Sequence, residues 1–223
     1  MRENSINRQR QIRVMADGLT ALDGFLNVPP HANGIVAFAH GSGSSRHSAR
    51  NQFVAQALYD AGLGTLLFDL LTPEEEYHDS RTREYRFNIP LLAHRLAGAV
   101  DWLQAQPATR DFRIGLFGSS TGAAAALIAA AEKPDAIGAV VSRGGRPDLA
   151  GEMLALVHAP TLLIVGSQDI PVIGMNREAM RQMSADVRLE IVPGATHLFQ
   201  EPGTLERVAE LAQAWFVQHL SAT

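Results

Sequence analysis

Five residues, Gly118-Ser119-Ser120-Thr121-Gly122, constrain this chain more than any other stretch. An apolar run at 112–117 leads into them, and an alanine-rich segment at 123–132 leaves them. Strand, tight turn and helix must therefore follow one another with no room for a loop. The two glycines stand where strand end and helix start approach most closely, so a side chain at either would collide. Ser120 is the centre of a G-x-S-x-G pattern, on a turn that lifts its hydroxyl clear of a sheet. The helix N-terminus behind it favours a developing negative charge. The pattern alone is weak; the strand before it and the helix after it give it weight.

The rest of the chain alternates in the same way. Residues 11–15 and 19–27 form an expected antiparallel hairpin around Asp17-Gly18, at a sheet edge. A continuous apolar run at 34–39 predicts a strand buried on both faces, 65–71 is expected to be the next buried strand, and further strands are expected at 137–141, 161–165 and 187–192. Helices are expected after Ser48, a good N-cap, up to Gly62; from Ile89-Pro90 with Leu92, Leu96, Val100 and Leu103 inward; near 149–157; around 175–183; and over 204–220. Residues 72–88 show the least regular pattern and are expected to roof the site, and residues 1–10 to be frayed. Alternating strands and helices predict an α/β fold, a mostly parallel sheet with helices on both faces, as one domain over residues 1–223. The short span between Ile137 and Pro160 leaves no room for a large lid domain.

Composition narrows the chemistry. A net charge of −4 with no basic stripe argues against a nucleic-acid partner. The chain contains no cysteine, which excludes disulfides, thiolate metal sites and a cysteine nucleophile together. No apolar stretch is long enough to span a bilayer, and residues 1–12 lack the apolar core of a signal peptide, so a cytoplasmic protein with no membrane partner is expected. No nucleotide-binding glycine loop and no metal-ligand spacing is present, so no cofactor and no metal are expected. No pattern bears on oligomeric state.

Every loop that could carry chemistry follows a predicted strand, where parallel sheets place their sites. Asp169 follows the strand at 161–165, and His197 follows the strand at 187–192 through Pro-Gly-Ala-Thr. Each alone is an ordinary loop residue. With Ser120 they make the order Ser, Asp, His, each at a strand end, which is the α/β-hydrolase order. The chemistry needs these types. Imidazole takes the serine proton, and the carboxylate fixes the imidazole tautomer and steadies its charge. The oxyanion requires backbone donors. Thr121, the residue after the nucleophile, is expected to supply one, and Ser42, with Gly43 next, the other, from the loop His40-Gly-Ser-Gly. His40 itself is expected to be a buried histidine bonded to backbone. Arg143 follows the strand at 137–141 between that strand and two glycines. Arg143, Arg46 (with Arg50) and Arg86 are candidates to bind an anionic group on a small ester substrate, since arginine forks grip carboxylates and phosphates.

The segments AHGSGSSRHSARN (39–51), FGSSTGAAAAL (117–127), VVSRGGRPDLAG (140–151), PTLLIVGSQD (160–169) and VPGATHLFQEPG (192–203) resemble the dienelactone hydrolase-like branch of the α/β-hydrolases. Some proteins of that branch are fused behind a phosphoribosyltransferase domain. The resemblance implies about eight strands, the second antiparallel, with Ser120 as nucleophile, Asp169 as acid and His197 as base. The chain departs from it in one place: dienelactone hydrolases use a cysteine nucleophile, and here the residue is serine. The resemblance therefore implies a serine hydrolase of a small carboxylic ester rather than of dienelactone itself. A thioesterase or small-amide hydrolase with the same triad is the alternative. A binding module that retains the elbow without turnover is a further alternative, which the complete set of three residues opposes.

Overall fold

The computed structural model of the chain describes residues 10–221, and the expected fraying of residues 1–9 lies outside them. Arg10, included in that expectation, already opens the first strand. The strands are β1 (Arg10–Met15), β2 (Ala21–Asn27), β3 (Gly34–Ala39), β4 (Gly64–Phe68), β5 (Arg113–Ser119), β6 (Ile137–Arg143), β7 (Thr161–Gly166) and β8 (Val187–Val192). The helices are α1 (Ala49–Asp60), α2 (Pro73–Thr82), α3 (Ile89–Ala105), α4 (Thr121–Glu132), α5 (Ile170–Gln182) and α6 (Thr204–Leu220), with a 3-10 segment at Pro147–Leu156. All eight strands join one sheet in the order β1-β2-β4-β3-β5-β6-β7-β8. Strand β2 runs antiparallel to both its neighbours, and the pairs from β4 to β8 are parallel. This is the α/β-hydrolase fold, and between β6 and β7 only the 3-10 segment intervenes, so no lid domain covers the strand ends.

The continuous apolar runs have the expected cause. Every residue of β3 is buried, because helices cover both faces. Ile35, Ala37 and Ala39 enter one core with Leu96, Val100 and Leu127 of α3 and α4. Val36 and Phe38 enter the opposite core with Val54, Leu58 and Phe216 of α1 and α6. Phe38 and Phe117 meet there with ring centroids 4.9 Å apart. Helix α3 lies so close to the β1–β2 hairpin that a Cβ at Gly98 would fall 1.5 Å from the Ala16 carbonyl oxygen.

Three local expectations are corrected. Residues 72–88 contain a regular helix, α2. Its N-terminus is a capping box in which the Thr72 side chain accepts from Glu75 N and the Glu75 carboxylate accepts from Thr72 N, and Pro73 follows at the first helical position. That T-P-E-E signal was legible, but the exposed helix has almost no apolar stripe to reveal it. Strand β4 stops at Phe68 rather than at residue 71, because the Leu70 N–H leaves the sheet and donates to His40 Nε2 at 3.1 Å. Helix α5 starts directly after Asp169, well before residue 175. Among the described residues no helix is long and apolar enough to cross a membrane.

Candidate active site

The elbow is built by collision and by hydrogen bonds. A Cβ at Gly122 would lie 2.2 Å from the Ala39 carbonyl oxygen, and one at Gly118 would lie 2.4 Å from Ala123 Cα, so both positions exclude every other residue. Ser120 between them has φ 52° and ψ −120°. A non-glycine residue there is strained by about 1–3 kcal/mol and persists only where its surroundings hold it. Here Ser120 N donates to the Arg143 carbonyl at 3.2 Å, and its own carbonyl accepts from Ala123 N and Arg146 N, both at 3.1 Å. The end of β6 and the start of α4 thus grip the serine from both sides.

The loops after β7 and β8 are stitched together in the same manner. Gln168 N donates to the Ala195 carbonyl at 2.9 Å, and Gly194 N donates to Ser167 Oγ at 2.8 Å. This brings Asp169 and His197 into contact: His197 Nδ1 lies 2.6 Å from Asp169 Oδ2. A carboxylate can only accept, so Nδ1 carries the hydrogen, and Nε2 of the neutral ring keeps its lone pair. The Asp169 side chain is 13% exposed. Glu201 braces the histidine loop, accepting from Thr196 N at 3.0 Å and Thr196 Oγ1 at 2.6 Å. Phe199, buried with φ 53°, anchors the far end of that loop.

His197 and Ser120 line one cavity of about 210 Å³, together with Gly41, Ser42, Arg50 and Arg143. Their side chains face a common space without a direct hydrogen bond between them; such bonds are often long before substrate is bound. A larger cavity, about 550 Å³, opens across the 41–45 loop against Asp69 and Glu76, but neither Ser120 nor His197 lines it.

The oxyanion candidates meet around Thr121. As the first residue of α4 its N–H has no intrahelical acceptor. The Ser42 N–H donates to Thr121 Oγ1 at 3.0 Å. Gly43, with φ 68°, stands on the far side of the loop, 3.4 Å in Cβ terms from the Arg86 guanidinium, and does not line the serine cavity. His40 holds the loop from beneath. Its Nδ1 donates to the Gly41 carbonyl at 3.0 Å, and its Nε2 accepts from Leu70 N. Burial pushes its pKa below the ordinary imidazole value. This is the structural role expected for it. The bond from Ser42 to the Thr121 hydroxyl was not anticipated, since no sequence pattern links residues 79 apart.

The arginines divide. Arg143 is buried in the serine cavity, and Arg50 lines it too. Arg46 does not: its guanidinium pairs with Asp69 and, at 3.8 Å, with Asp23, and lies over the Phe25 ring. Arg86 is likewise committed, its Nε donating at 2.6 Å to Asp79, a fully buried carboxylate that also accepts from Arg86 N and Tyr85 N. Arg46 and Arg86, expected as substrate-binding candidates, thus each neutralise an acidic residue that no sequence pattern assigns to them, and neither lines the serine cavity. Among the described residues no group of three His, Asp or Glu side chains is placed to hold a metal ion.

Comparison with known proteins agrees with this architecture. The model of the dienelactone hydrolase family matches residues 22–220. Dienelactone hydrolase from Anabaena variabilis has a crystal structure that is 56% identical in sequence, with a TM-score of 0.94, over 96% of this chain and 98% of that one. A Mycobacterium tuberculosis protein named as a putative phosphoribosyl transferase is 55% identical over 213 residues; this chain spans 96% of its own length but 47% of that relative's. Est1E from Butyrivibrio proteoclasticus, at 18% identity and TM-score 0.77 over 94% of this chain and 98% of that one, shares the fold. On the strength of the family match across nearly its whole length, this chain is a member of the dienelactone hydrolase family.

Proposed function

We propose that the protein is a serine hydrolase that cleaves a small carboxylic ester through an acyl-enzyme, with Ser120, His197 and Asp169 as its triad. The observation that carries this reading is the 2.6 Å contact between His197 Nδ1 and Asp169 Oδ2, in a cavity wall that also carries the left-handed Ser120. Ser120 Oγ attacks the ester carbonyl as its proton passes to His197 Nε2. Asp169 keeps the ring in the Nδ1–H tautomer and stabilises the imidazolium. The tetrahedral oxyanion is met by the Thr121 N–H, while the Ser42 N–H is engaged by the Thr121 hydroxyl and holds the facing loop in place. Collapse breaks the ester C–O bond, and the alcohol leaves with the proton from Nε2. A water molecule then repeats the sequence on the acyl-enzyme and releases the acid. The absence of cysteine leaves serine as the nucleophile and accords with a cytoplasmic setting.

Turnover of p-nitrophenyl acetate and butyrate by wild type and Ser120→Ala tests the reading. The variant is expected to lose roughly 10⁴-fold or more in kcat/KM while its melting temperature holds. Hydrolysis by Ser120→Ala at a near wild-type rate would remove the serine from the mechanism.

A further inference from the structure

Among the described residues, two arginines of the serine cavity have no counter-ion. Arg143 is 7% exposed, and its Nε and Nη1 are buried without a hydrogen-bond partner. Arg50 lines the same cavity, and its Nε is also buried and unpartnered. Among the described residues neither guanidinium forms an ion pair, and no carboxylate lines the cavity. Arg46, Arg86 and Arg95 behave differently, each held by an acidic partner: Asp69, Asp79 and Glu75. Asp169, behind His197, is engaged by the imidazole. Burial, and then the charge of Arg50, bring the Arg143 pKa down to about 10, so Arg143 remains charged near neutrality. Buried charge is tolerated when a partner neutralises it, and the described residues supply none.

Both arginines are rigidly registered to the nucleophile. Arg143 closes β6 opposite Ser119, and its carbonyl accepts from Ser120 N. Arg50 precedes Asn51, whose Oδ1 accepts from Ser119 Oγ at 3.0 Å inside the protein. Two positive charges in one cavity are matched by two negative charges; a single carboxylate could bridge both guanidiniums but would leave one positive charge uncompensated. We infer that Arg50 and Arg143 form a subsite for a doubly charged oxyanion group on the substrate, a phosphate monoester or paired carboxylates, held beside the bond that Ser120 attacks. The link to the scissile bond rests on the serine-hydrolase reading; the anion site itself does not.

The test uses the Ser120→Ala protein, which binds without turning over. Inorganic phosphate, malonate and acetate are titrated by calorimetry at about pH 8, where inorganic phosphate and malonate are both mostly dianions, at constant ionic strength. Phosphate or malonate is expected to bind at least about tenfold more tightly than acetate, and Arg50→Gln and Arg143→Lys are expected to weaken that binding by roughly tenfold or more. Melting curves without added anion establish that the variants are folded, and Arg50→Gln, near the surface, decides the matter if Arg143→Lys does not fold. Binding of phosphate alone identifies a phosphate monoester, and of malonate alone a dicarboxylate. Equal binding of acetate, or dianion binding unchanged in the folded variants, overturns the subsite. Phosphate binding by a wild type that hydrolyses no ester would overturn the hydrolase reading and leave the subsite standing; ester hydrolysis without dianion binding does the reverse.

Discussion

Thr121 makes two contributions to the site through different atoms. Its backbone N–H is free to meet an oxyanion, and its hydroxyl receives the N–H of Ser42 from the opposite loop. The proposed oxyanion donor and the loop that faces it are thereby registered to one residue, and on the proposed mechanism preorganisation of this kind accelerates the chemical step rather than binding. Thr121→Val keeps the shape and removes the acceptor, so kcat should fall roughly 10- to 100-fold with little change in KM, whereas Thr121→Ser should stay close to wild type. Steady-state kinetics on one neutral ester decides it; equal losses in the two variants would make the hydroxyl incidental. At this scale the sequence was informative where chemistry has a spacing. Ser120, Asp169 and His197 each follow a strand at a short, characteristic offset. Partnerships across space were not legible: nothing in the string pairs Arg46 with Asp69, Arg86 with Asp79, or Ser42 with Thr121.

Secondary elements were legible in proportion to their burial. Strands β3, β6 and β7 appear as apolar runs because both their faces are covered, whereas β8, at the sheet edge, alternates polar and apolar residues, and α6 shows its stripe because one face packs on the sheet. Helix α2, exposed and carrying Glu74, Glu75 and Glu76 in its first turn, has no such stripe and is held by its caps and by Asp79. Two substitutions separate these sources of stability. Thr72→Ala breaks the capping box and should cost about 1 kcal/mol. Gly98→Ala drives a methyl into the Ala16 carbonyl and should cost roughly 1–3 kcal/mol or more. Urea denaturation with unchanged m-values measures both; a larger loss for Thr72→Ala would mean that the contact between α3 and the β1–β2 hairpin is not tight.

Across the whole molecule the sheet places the ends of β3, β5, β6, β7 and β8 along one edge, and the loops leaving them make the site. The residue that ties this edge to the core is His40, which spans the oxyanion loop and the end of β4. Its pKa is depressed from 6.5 by burial, so below about that pH the unfolded chain binds a proton that the folded chain refuses. Stability should therefore fall as pH drops from neutral, by at most about 1.4 kcal/mol per pH unit for this group. His219, also depressed mainly by burial, adds to the slope. His40→Gln should flatten the slope while lowering stability at neutral pH, and an unchanged slope would show that His40 is not the group responsible.

The central claim is that Ser120 is a nucleophile activated by His197. Intact-mass measurement after treatment with a fluorophosphonate, followed by peptide mapping, tests it most directly. One adduct per chain, on Ser120, abolished by Ser120→Ala and strongly slowed by His197→Ala, is the predicted result. An unlabelled wild type, or an adduct on any other residue, would contradict it.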